Sequence, residues 1–97
     1  MYGTVAHLRI KPGAEEKLRQ QLREFESIKV PGFKSTSIYR ADANPNEYYM
    51  AVVFESKDAY HANANSPEQD ARYRKMRELL DGDPEWHDGE IIHHSGA

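Results

Sequence analysis

The sequence predicts an α+β domain of order β-α-β-β-α-β, in which a four-stranded antiparallel sheet carries its helices on one face. Four segments alternate between apolar and polar residues, and two others repeat apolar residues every three or four positions. Turn signals rich in Gly and Pro separate these segments. Because the helices can cover only one face of the sheet, we expect a homodimer in which a second copy covers the other.

Length and composition predict a single domain over residues 1–97, with a core over 1–93 and a tail over 94–97. The absence of cysteine excludes disulfides, thiolate nucleophiles, iron–sulfur clusters and cysteine zinc sites. A formal net charge of −3, with both signs mixed along the helices, does not favour a nucleic-acid partner. The sequence has no apolar run of membrane-spanning length and no signal-peptide pattern, so we expect a cytoplasmic protein without a membrane partner.

The first strand is predicted from Tyr2 to Ile10, with the even-numbered residues on its apolar face. Lys11-Pro12-Gly13 ends it, because proline cannot donate to the strand ladder and glycine relaxes the backbone. The first helix is expected to begin near the residue that follows, with two glutamates at the positive end of its dipole. Its apolar stripe consists of Ala14, Leu18, Leu22 and Phe25.

The third strand gives the strongest indication of the dimer. The second strand is predicted over Phe33–Arg40, and a hairpin connects it to the third, predicted over Glu47–Glu55. Both faces of the third strand are apolar, because it contains Tyr48, Tyr49, Met50, Val52, Val53 and Phe54. A strand of this kind is buried on two sides. The helices cover one side, and a second copy of the chain is needed for the other.

The second helical region is predicted as two pieces. Ser56 is a typical N-cap for a short helix that ends near Ala62, and Ser66-Pro67-Glu68-Gln69 forms a capping box that starts a longer helix. The buried stripe of this longer helix consists of Tyr73, Met76 and Leu80. A turn with Gly and Pro follows, and the last strand is predicted over Trp86–His93.

Three motifs, taken in their order along the chain, carry a family resemblance. They are Lys11-Pro12-Gly13 between strand and helix, the segment Phe54–Tyr60, and Ser66-Pro67 opening a helix. Together they resemble the antibiotic-biosynthesis-monooxygenase-like family, and the likeness extends over nearly the whole chain. The resemblance implies a ferredoxin-like fold whose sheets pair in a dimeric α+β barrel. It also implies a substrate pocket between the helices and the sheet of one subunit.

The family includes heme-degrading enzymes, so the residues at the family's heme-site positions can be compared with those of this chain. The family's three heme-site positions fall on Ala6, Asn63 and Tyr73 of this chain. Alanine cannot hydrogen-bond a bound oxygen, asparagine lacks the bulk that distorts a porphyrin, and neutral tyrosine is a poor substitute for an axial histidine. We therefore expect no cofactor, and heme degradation remains a less favoured alternative because a tyrosine phenolate can bind ferric heme.

The family also includes cofactor-free oxygenases of polycyclic phenols, and this is the activity we expect if the protein is an enzyme. Such chemistry needs a deprotonated, electron-rich substrate in a pocket that excludes water. We predict Asn63 and Tyr73 as the catalytic residues that hold the substrate oxyanion, and Tyr60 and Trp86 as substrate-binding walls. The expected ligand is a small apolar or aromatic, quinol-like molecule. Structural explanations compete with each role, namely a helix-ending asparagine and core aromatic residues.

The histidines support no metal site in the sequence. His87-Asp88 and His93-His94 are neighbours on a strand and point to opposite faces, so neither pair converges on one ion. His7 is expected at the dimer interface, and His61 at the edge of the pocket or in solvent. The alternative function is a non-catalytic ligand-binding or structural dimer. An enzyme should show an open cavity bordered by Asn63 and Tyr73, whereas a structural dimer should show that space filled.

Overall fold

A four-stranded antiparallel sheet carries three helices on one face in the computed structural model, which describes residues 1–96. The sheet order is β2-β3-β1-β4. The elements are β1 (Tyr2–Arg9), α1 (Glu15–Glu26), β2 (Phe33–Arg40), β3 (Glu47–Phe54), α2 (Lys57–Ala64), α3 (Pro67–Arg77) and β4 (Glu85–Glu90). This is the ferredoxin-like α+β arrangement predicted from the sequence, with the second helical region in two pieces.

The core lies between the sheet and the helices. On β1 the even-numbered residues face the helices, and Ala6 and Leu8 are completely buried. The strand register places Ala6 between Met50 of β3 and Trp86 of β4. The helices complete this core, mainly through Leu18 of α1 and Met76 of α3. The alternation read from the sequence therefore assigns the core face of β1 correctly.

The break between α2 and α3 is built by two serine caps. The Ser56 hydroxyl accepts a hydrogen bond from the Ala59 amide at 3.1 Å, and the Ser66 hydroxyl accepts one from the Gln69 amide at 3.1 Å. Pro67 occupies the first turn of α3, where its missing N–H has no consequence. Both predicted start signals are confirmed. The short helix α2 buries none of its residues completely, so it lies at the margin of the core over β1 and β3.

The second face of the sheet is open in the single chain. Three of its side chains are Val5, Tyr39 and Tyr49, which are 52 %, 63 % and 41 % exposed. Burial of β3 was predicted on both of its faces. The single chain shows it on the helix face, where Tyr48, Met50 and Phe54 are buried. Burial of the opposite face by a second copy stays a prediction.

The last strand is shorter than predicted, because β4 ends at Glu90 rather than His93. Among residues 1–96 it pairs only with β1, whose first residue Tyr2 lies opposite Glu90, and the regular ladder ends there. One further backbone bond joins the Ile91 amide to the Met1 carbonyl at 2.9 Å. Of the predicted tail 94–97, the last residue lies outside the described part of the chain. Within residues 1–96, no helix has the length and apolar character needed to cross a membrane.

Candidate functional site

A large cavity opens between the helices and the sheet. Its volume is about 1280 Å³, which exceeds the roughly 300–1,000 Å³ of most small-molecule sites. The floor is apolar and is formed by β3, while α1 supplies one apolar wall. The floor and this wall include Met50, Val52, Phe54, Leu18 and Leu22. The edge strand β2 is poorly covered, since Thr36 is exposed, and the cavity extends over it.

All four predicted site residues border this cavity. Asn63 and Tyr60 come from α2, Tyr73 from α3, and Trp86 from β4. In the single chain, the space that these four residues border is therefore open and is not filled by side chains. The catalytic and binding roles of these residues stay predictions.

The Asn63 side chain does not serve to end its helix. That role falls to its backbone carbonyl, which accepts from the Ser66 amide at 3.0 Å and from the Ser66 hydroxyl at 2.8 Å. The Asn63 side-chain oxygen instead accepts from the Arg72 guanidinium at 3.4 Å. Because the oxygen is turned toward Arg72, the amide nitrogen remains free to donate to a ligand.

Arg72 is a cavity residue that the sequence reasoning missed. Its guanidinium also donates to the Gln69 side chain at 3.1 Å, so Gln69 and Asn63 hold it in place. Within the described residues Arg72 has no carboxylate partner, whereas the other cavity arginines pair with glutamates. These ion pairs are Arg19–Glu15, Arg40–Glu15 and Arg23–Glu16. Gln69, Arg72 and Met76 are spaced three and four residues apart and so share one face of α3. This spacing could have indicated from the sequence that Arg72 faces the cavity.

Tyr73 and Trp86 form an aromatic pair beside Asn63 and Arg72. Their ring centroids lie 6.2 Å apart with an interplanar angle of 53°. Trp86 is 42 % exposed, so it lines the cavity and does not simply fill the core. Tyr73 is half-buried and packs against the core while also bordering the cavity. The two rings present an aromatic wall against which a flat ligand can stack.

Tyr60 lines the cavity and also makes a polar contact, because its hydroxyl donates a hydrogen bond to the Asp88 carboxylate at 2.8 Å. Its ring packs against Tyr2 and Phe54, with centroid distances of 5.2 and 5.6 Å. Burial raises the pKa of the Tyr60 phenol to about 12, and the hydrogen bond to Asp88 and the charge of that carboxylate act in the same direction. His61 lies exposed at the cavity rim, with its ring 5.4 Å from that of Tyr60.

A polar cluster closes the other end of the cavity and ties α1 to the sheet. Glu15, at the start of α1, accepts hydrogen bonds from Tyr48 at 2.5 Å, Arg40 at 2.8 Å and Arg19 at 3.0 Å. The Tyr48 hydroxyl bond is the main cause that lowers the pKa of Glu15. Burial is the main cause that raises the pKa of Tyr48. This cluster fixes the distance between α1 and β2.

His7 lies on the open face of the sheet, as expected for an interface residue. Its ring stacks on Tyr49 with a centroid distance of 4.8 Å, and its two nitrogens lie 3.0 Å from Glu47 and 3.3 Å from Glu85. Among residues 1–96, no group of three His, Asp or Glu side chains converges in a way that would bind a metal ion. Ala6, at one of the family's heme-site positions, is completely buried.

Comparisons with solved structures support the fold over almost the whole chain. A protein from Chloroflexus aurantiacus that carries the antibiotic biosynthesis monooxygenase name is 24% identical, with a TM-score of 0.75 over 98% of this chain and 96% of that chain. SnoaB, a cofactor-independent oxygenase from Streptomyces nogalater, is 17% identical, with a TM-score of 0.77 over 96% of this chain and 94% of that chain. A conserved protein from Methanosarcina mazei is 18% identical, with a TM-score of 0.78 over 91% and 89%.

The family itself is identified from the sequence match. No curated protein matches this sequence. The model of the family described as antibiotic biosynthesis monooxygenase matches residues 1–75, which include β1 to β3, all of α2 and most of α3. The chain therefore belongs to the antibiotic biosynthesis monooxygenase family.

Proposed function

We propose that this protein is a cofactor-independent monooxygenase that acts on a small aromatic, quinol-like substrate in the cavity. The observation that carries the proposal is the pairing of Asn63 with Arg72 beside Tyr73, on the wall of an otherwise apolar cavity. A guanidinium, an amide N–H and a phenol hydroxyl that border one cavity can together stabilise a ligand oxygen that gains negative charge. The similarity to SnoaB, a cofactor-independent oxygenase, supports the same class of activity.

The proposed chemistry needs only the substrate and dioxygen. A quinol and O₂ give a hydroxyquinone and water, so the substrate supplies all four electrons and no external reductant is required. Asn63 and Arg72 stabilise the ionised form of the substrate hydroxyl, and the Tyr73 hydroxyl donates to the same oxygen. Tyr60 and Trp86 hold the ring, and the apolar floor excludes water from the reacting carbon.

We also infer a homodimer formed through the open face of the sheet. Apolar and aromatic side chains of β1, β2 and β3 are exposed there, among them Val5, Tyr39 and Tyr49. Two such faces packed together bury this surface and enclose a barrel between the sheets. The cavity lies on the opposite, helix side, so each subunit keeps its own site.

The activity is tested by oxygen uptake with a panel of quinols and phenolic polyketides in the presence of a chelator. Because an oxyanion donor contributes about 10²-fold to turnover, we expect Asn63→Ala to lower kcat about 100-fold. Tyr73→Phe removes only the hydroxyl and is expected to lower kcat about tenfold. Asn65→Ala is the matched control, since Asn65 caps α2 and does not line the cavity.

The double variant Asn63→Ala/Tyr73→Phe decides the site assignment. If it keeps both oxygen uptake and the thermal shift produced by a bound quinol, the two residues are not the site. The alternative is a non-catalytic ligand-binding dimer, which the size and apolar floor of the open cavity favour. Ligand-induced stabilisation without any oxygen uptake across the panel would support this alternative.

A further inference from the structure

The cavity floor crosses the whole width of the sheet. The strand register places Trp86 of β4 opposite Ala6 of β1, and Ala6 opposite Met50 of β3. On its other side, Met50 lies opposite Ile38 of β2. Both ends of this row, Trp86 and Ile38, border the cavity. Neighbouring strands are about 4.8 Å apart, so the three spacings between the two ends amount to about 14 Å. The floor is therefore longer than a one- or two-ring aromatic molecule.

The polar groups of the proposed site lie at the β4 end of this floor. The Tyr73 ring lies 6.2 Å from the ring of Trp86, between centroids. Arg72 precedes Tyr73 in α3, and its guanidinium donates to the Asn63 side chain at 3.4 Å. A substrate ring whose oxygen is held by these groups has its far side directed along the floor, toward β3 and β2.

The β2 end of the cavity is lined by apolar side chains that the single chain leaves partly exposed. Ile28 and Phe33 are each 43 % exposed, and Leu22 and Ile38 are only half-buried. We call this region the apolar lobe; its side chains are Leu22, Phe25, Ile28, Phe33 and Ile38. A ligand group that enters the lobe takes this apolar surface out of water, which favours binding.

The charged side chains around the apolar lobe already have partners. Arg19 and Arg40 pair with Glu15 at 3.0 and 2.8 Å, and Arg23 pairs with Glu16 at 3.3 Å. A charged ligand group would have to compete with these ion pairs for an arginine. An uncharged, apolar group has no such cost, so the lobe favours a hydrocarbon.

The twist of the sheet favours a flexible chain in the lobe over further fused rings. Adjacent strands are rotated by about 20–25° relative to each other, so the strand direction changes by about 60–75° from β4 to β2. A rigid polycyclic molecule is flat and loses contact with such a floor, whereas a chain bends at each carbon–carbon bond. An extended chain of about six carbons spans half of the floor, from its middle to the β2 edge.

We propose that the apolar lobe binds an aliphatic chain of the substrate, while Asn63 and Arg72 hold the oxygen of its ring at the other end of the floor. The assignment rests on the proposed function and narrows its substrate class to phenols and quinols that carry an aliphatic chain on the side opposite the reacting hydroxyl. Leu22 and Ile38, on opposite walls of the lobe, contact the chain.

The test is a chain-length series of 4-alkylphenols, from ethyl to decyl, used below the concentrations at which they aggregate. Isothermal titration calorimetry under anaerobic conditions gives each Kd without turnover. We expect the Kd to fall about threefold for each methylene group up to hexyl, which is about 80-fold from ethyl to hexyl. Longer chains should gain less, because they extend beyond the β2 edge.

A rigid probe separates a chain from a further ring. 4-Phenylphenol has the same number of carbon atoms as 4-hexylphenol, but a flat ring replaces its chain. We expect 4-phenylphenol to bind about tenfold more weakly, because it cannot follow the twisted floor into the lobe.

Two variants place an amide in the lobe, and two matched variants make the same changes elsewhere. Leu22→Gln and Ile38→Asn should each reduce the ethyl-to-hexyl ratio of Kd values from about 80 to about 10, because the chain cannot pair with the new amide. Leu79→Gln changes a half-buried leucine that does not border the cavity, and Ile92→Asn changes an isoleucine beyond β4. Both controls should keep the wild-type ratio. Circular dichroism and melting temperature establish that each variant is folded.

The outcomes separate the chain-binding lobe from the proposed function. A wild-type Kd that does not change with chain length, or 4-phenylphenol binding as tightly as 4-hexylphenol, overturns the lobe. An unchanged ratio in folded Leu22→Gln and Ile38→Asn also overturns it. A chain-length gain that depends on both residues, without oxygen uptake by hexylhydroquinone or any other quinol, keeps the lobe and contradicts the monooxygenase. Oxygen uptake with quinols that lack a chain, without any chain-length gain, keeps the monooxygenase and contradicts the lobe.

Discussion

At the scale of single residues, Glu15 holds one end of the cavity together. It accepts hydrogen bonds from Tyr48, Arg40 and Arg19, which belong to β3, β2 and α1. The pKa of Glu15 is lowered below its ordinary value of 4.5, first by the Tyr48 hydroxyl and then by the arginines against the opposing effect of burial. The stability that this carboxylate contributes is therefore present above pH 4.5 and is lost as pH falls through its lowered pKa.

Glu15→Gln should accordingly flatten the acid limb of the stability profile. Glutamine keeps an oxygen that accepts from Tyr48, but it cannot ionise, so the variant starts less stable and loses less on acidification. The melting temperature measured from neutral pH to below pH 4.5 reports the difference. Glu16→Gln is the matched control, because Glu16 is exposed and its one ion pair within the described residues is with Arg23. Identical acid slopes in wild type and Glu15→Gln would contradict the assignment.

The sequence identified four cavity residues on three elements, but it missed Arg72 on α3 and the partner that β4 brings to Tyr60. Asn63, Tyr73, Tyr60 and Trp86 were all predicted at the pocket, and all border it. Arg72 and Asp88 were not singled out as site residues. Asp88 lies 28 residues from Tyr60 along the chain, and only the pairing of β4 with β1 places the two together. A periodicity read within one segment does not contain that information.

At the scale of elements, local signals predicted the starts of helices better than the ends of strands. Ser56 and Ser66 act through bonds three residues away, so the chemistry that starts α2 and α3 is contained in a few neighbouring residues. The end of β4 depends instead on where β1 begins, since a strand ends when its partner does. The residues from Ile91 to His93 have a strand-like pattern in the sequence, but the pairing with β1 continues past Glu90 only through the bond between the Ile91 amide and the Met1 carbonyl.

Gly32 determines how closely α2 approaches the turn before β2. Its φ of +78° is a left-handed conformation, and a Cβ atom there would lie 2.5 Å from the Cβ atom of Ala59 in α2. Gly13 has a similar φ of +81°, but a Cβ atom would meet nothing within 4 Å. Both glycines therefore need a positive φ, but only at Gly32 would a side chain also collide with a neighbouring residue.

Gly13→Ala and Gly32→Ala form a matched pair that separates these two effects. We expect Gly13→Ala to lower the free energy of unfolding by roughly 1–2 kcal/mol, the cost of a left-handed non-glycine residue. Gly32→Ala should lower the free energy of unfolding by more than Gly13→Ala does, because α2 must also move away from the new methyl group. Urea denaturation measures both values. Since Ala59 precedes Tyr60, only Gly32→Ala should also weaken quinol binding, and equal effects on stability and binding would contradict the close approach.

At the scale of the whole molecule, the order of strand and helix patterns along the sequence was enough to predict the fold. The prediction of a dimer depends instead mainly on the apolar residues of one face of β3. The helix face of β3 is buried within the chain, as predicted. Its other face includes Tyr49, which is exposed beside Val5 and Tyr39 of the neighbouring strands. A single domain over residues 1–97 and a cytoplasmic location also stay predictions. A second copy explains why so many apolar side chains lie on an open face.

Val5→Glu tests that explanation at the centre of the open face. Val5 is 52 % exposed in the single chain and lies between Ala51 of β3 and His87 of β4, so a dimer through this face would bury it. An unpaired buried carboxylate is costly, and we expect the dimer Kd to rise at least about 100-fold. Size-exclusion chromatography with light scattering gives the mass across a dilution series.

Ile92→Glu is the matched control for this change. It also replaces a β-branched apolar residue by glutamate, but Ile92 is 96 % exposed and lies beyond the end of β4, away from the sheet face. We expect this variant to remain dimeric while Val5→Glu becomes monomeric at the same concentration. A monomeric wild type would contradict the dimer, and a Val5→Glu variant that stays dimeric would place the contact elsewhere. Because the cavity is built from one chain, monomeric Val5→Glu should still bind a quinol, with a lower melting temperature than wild type.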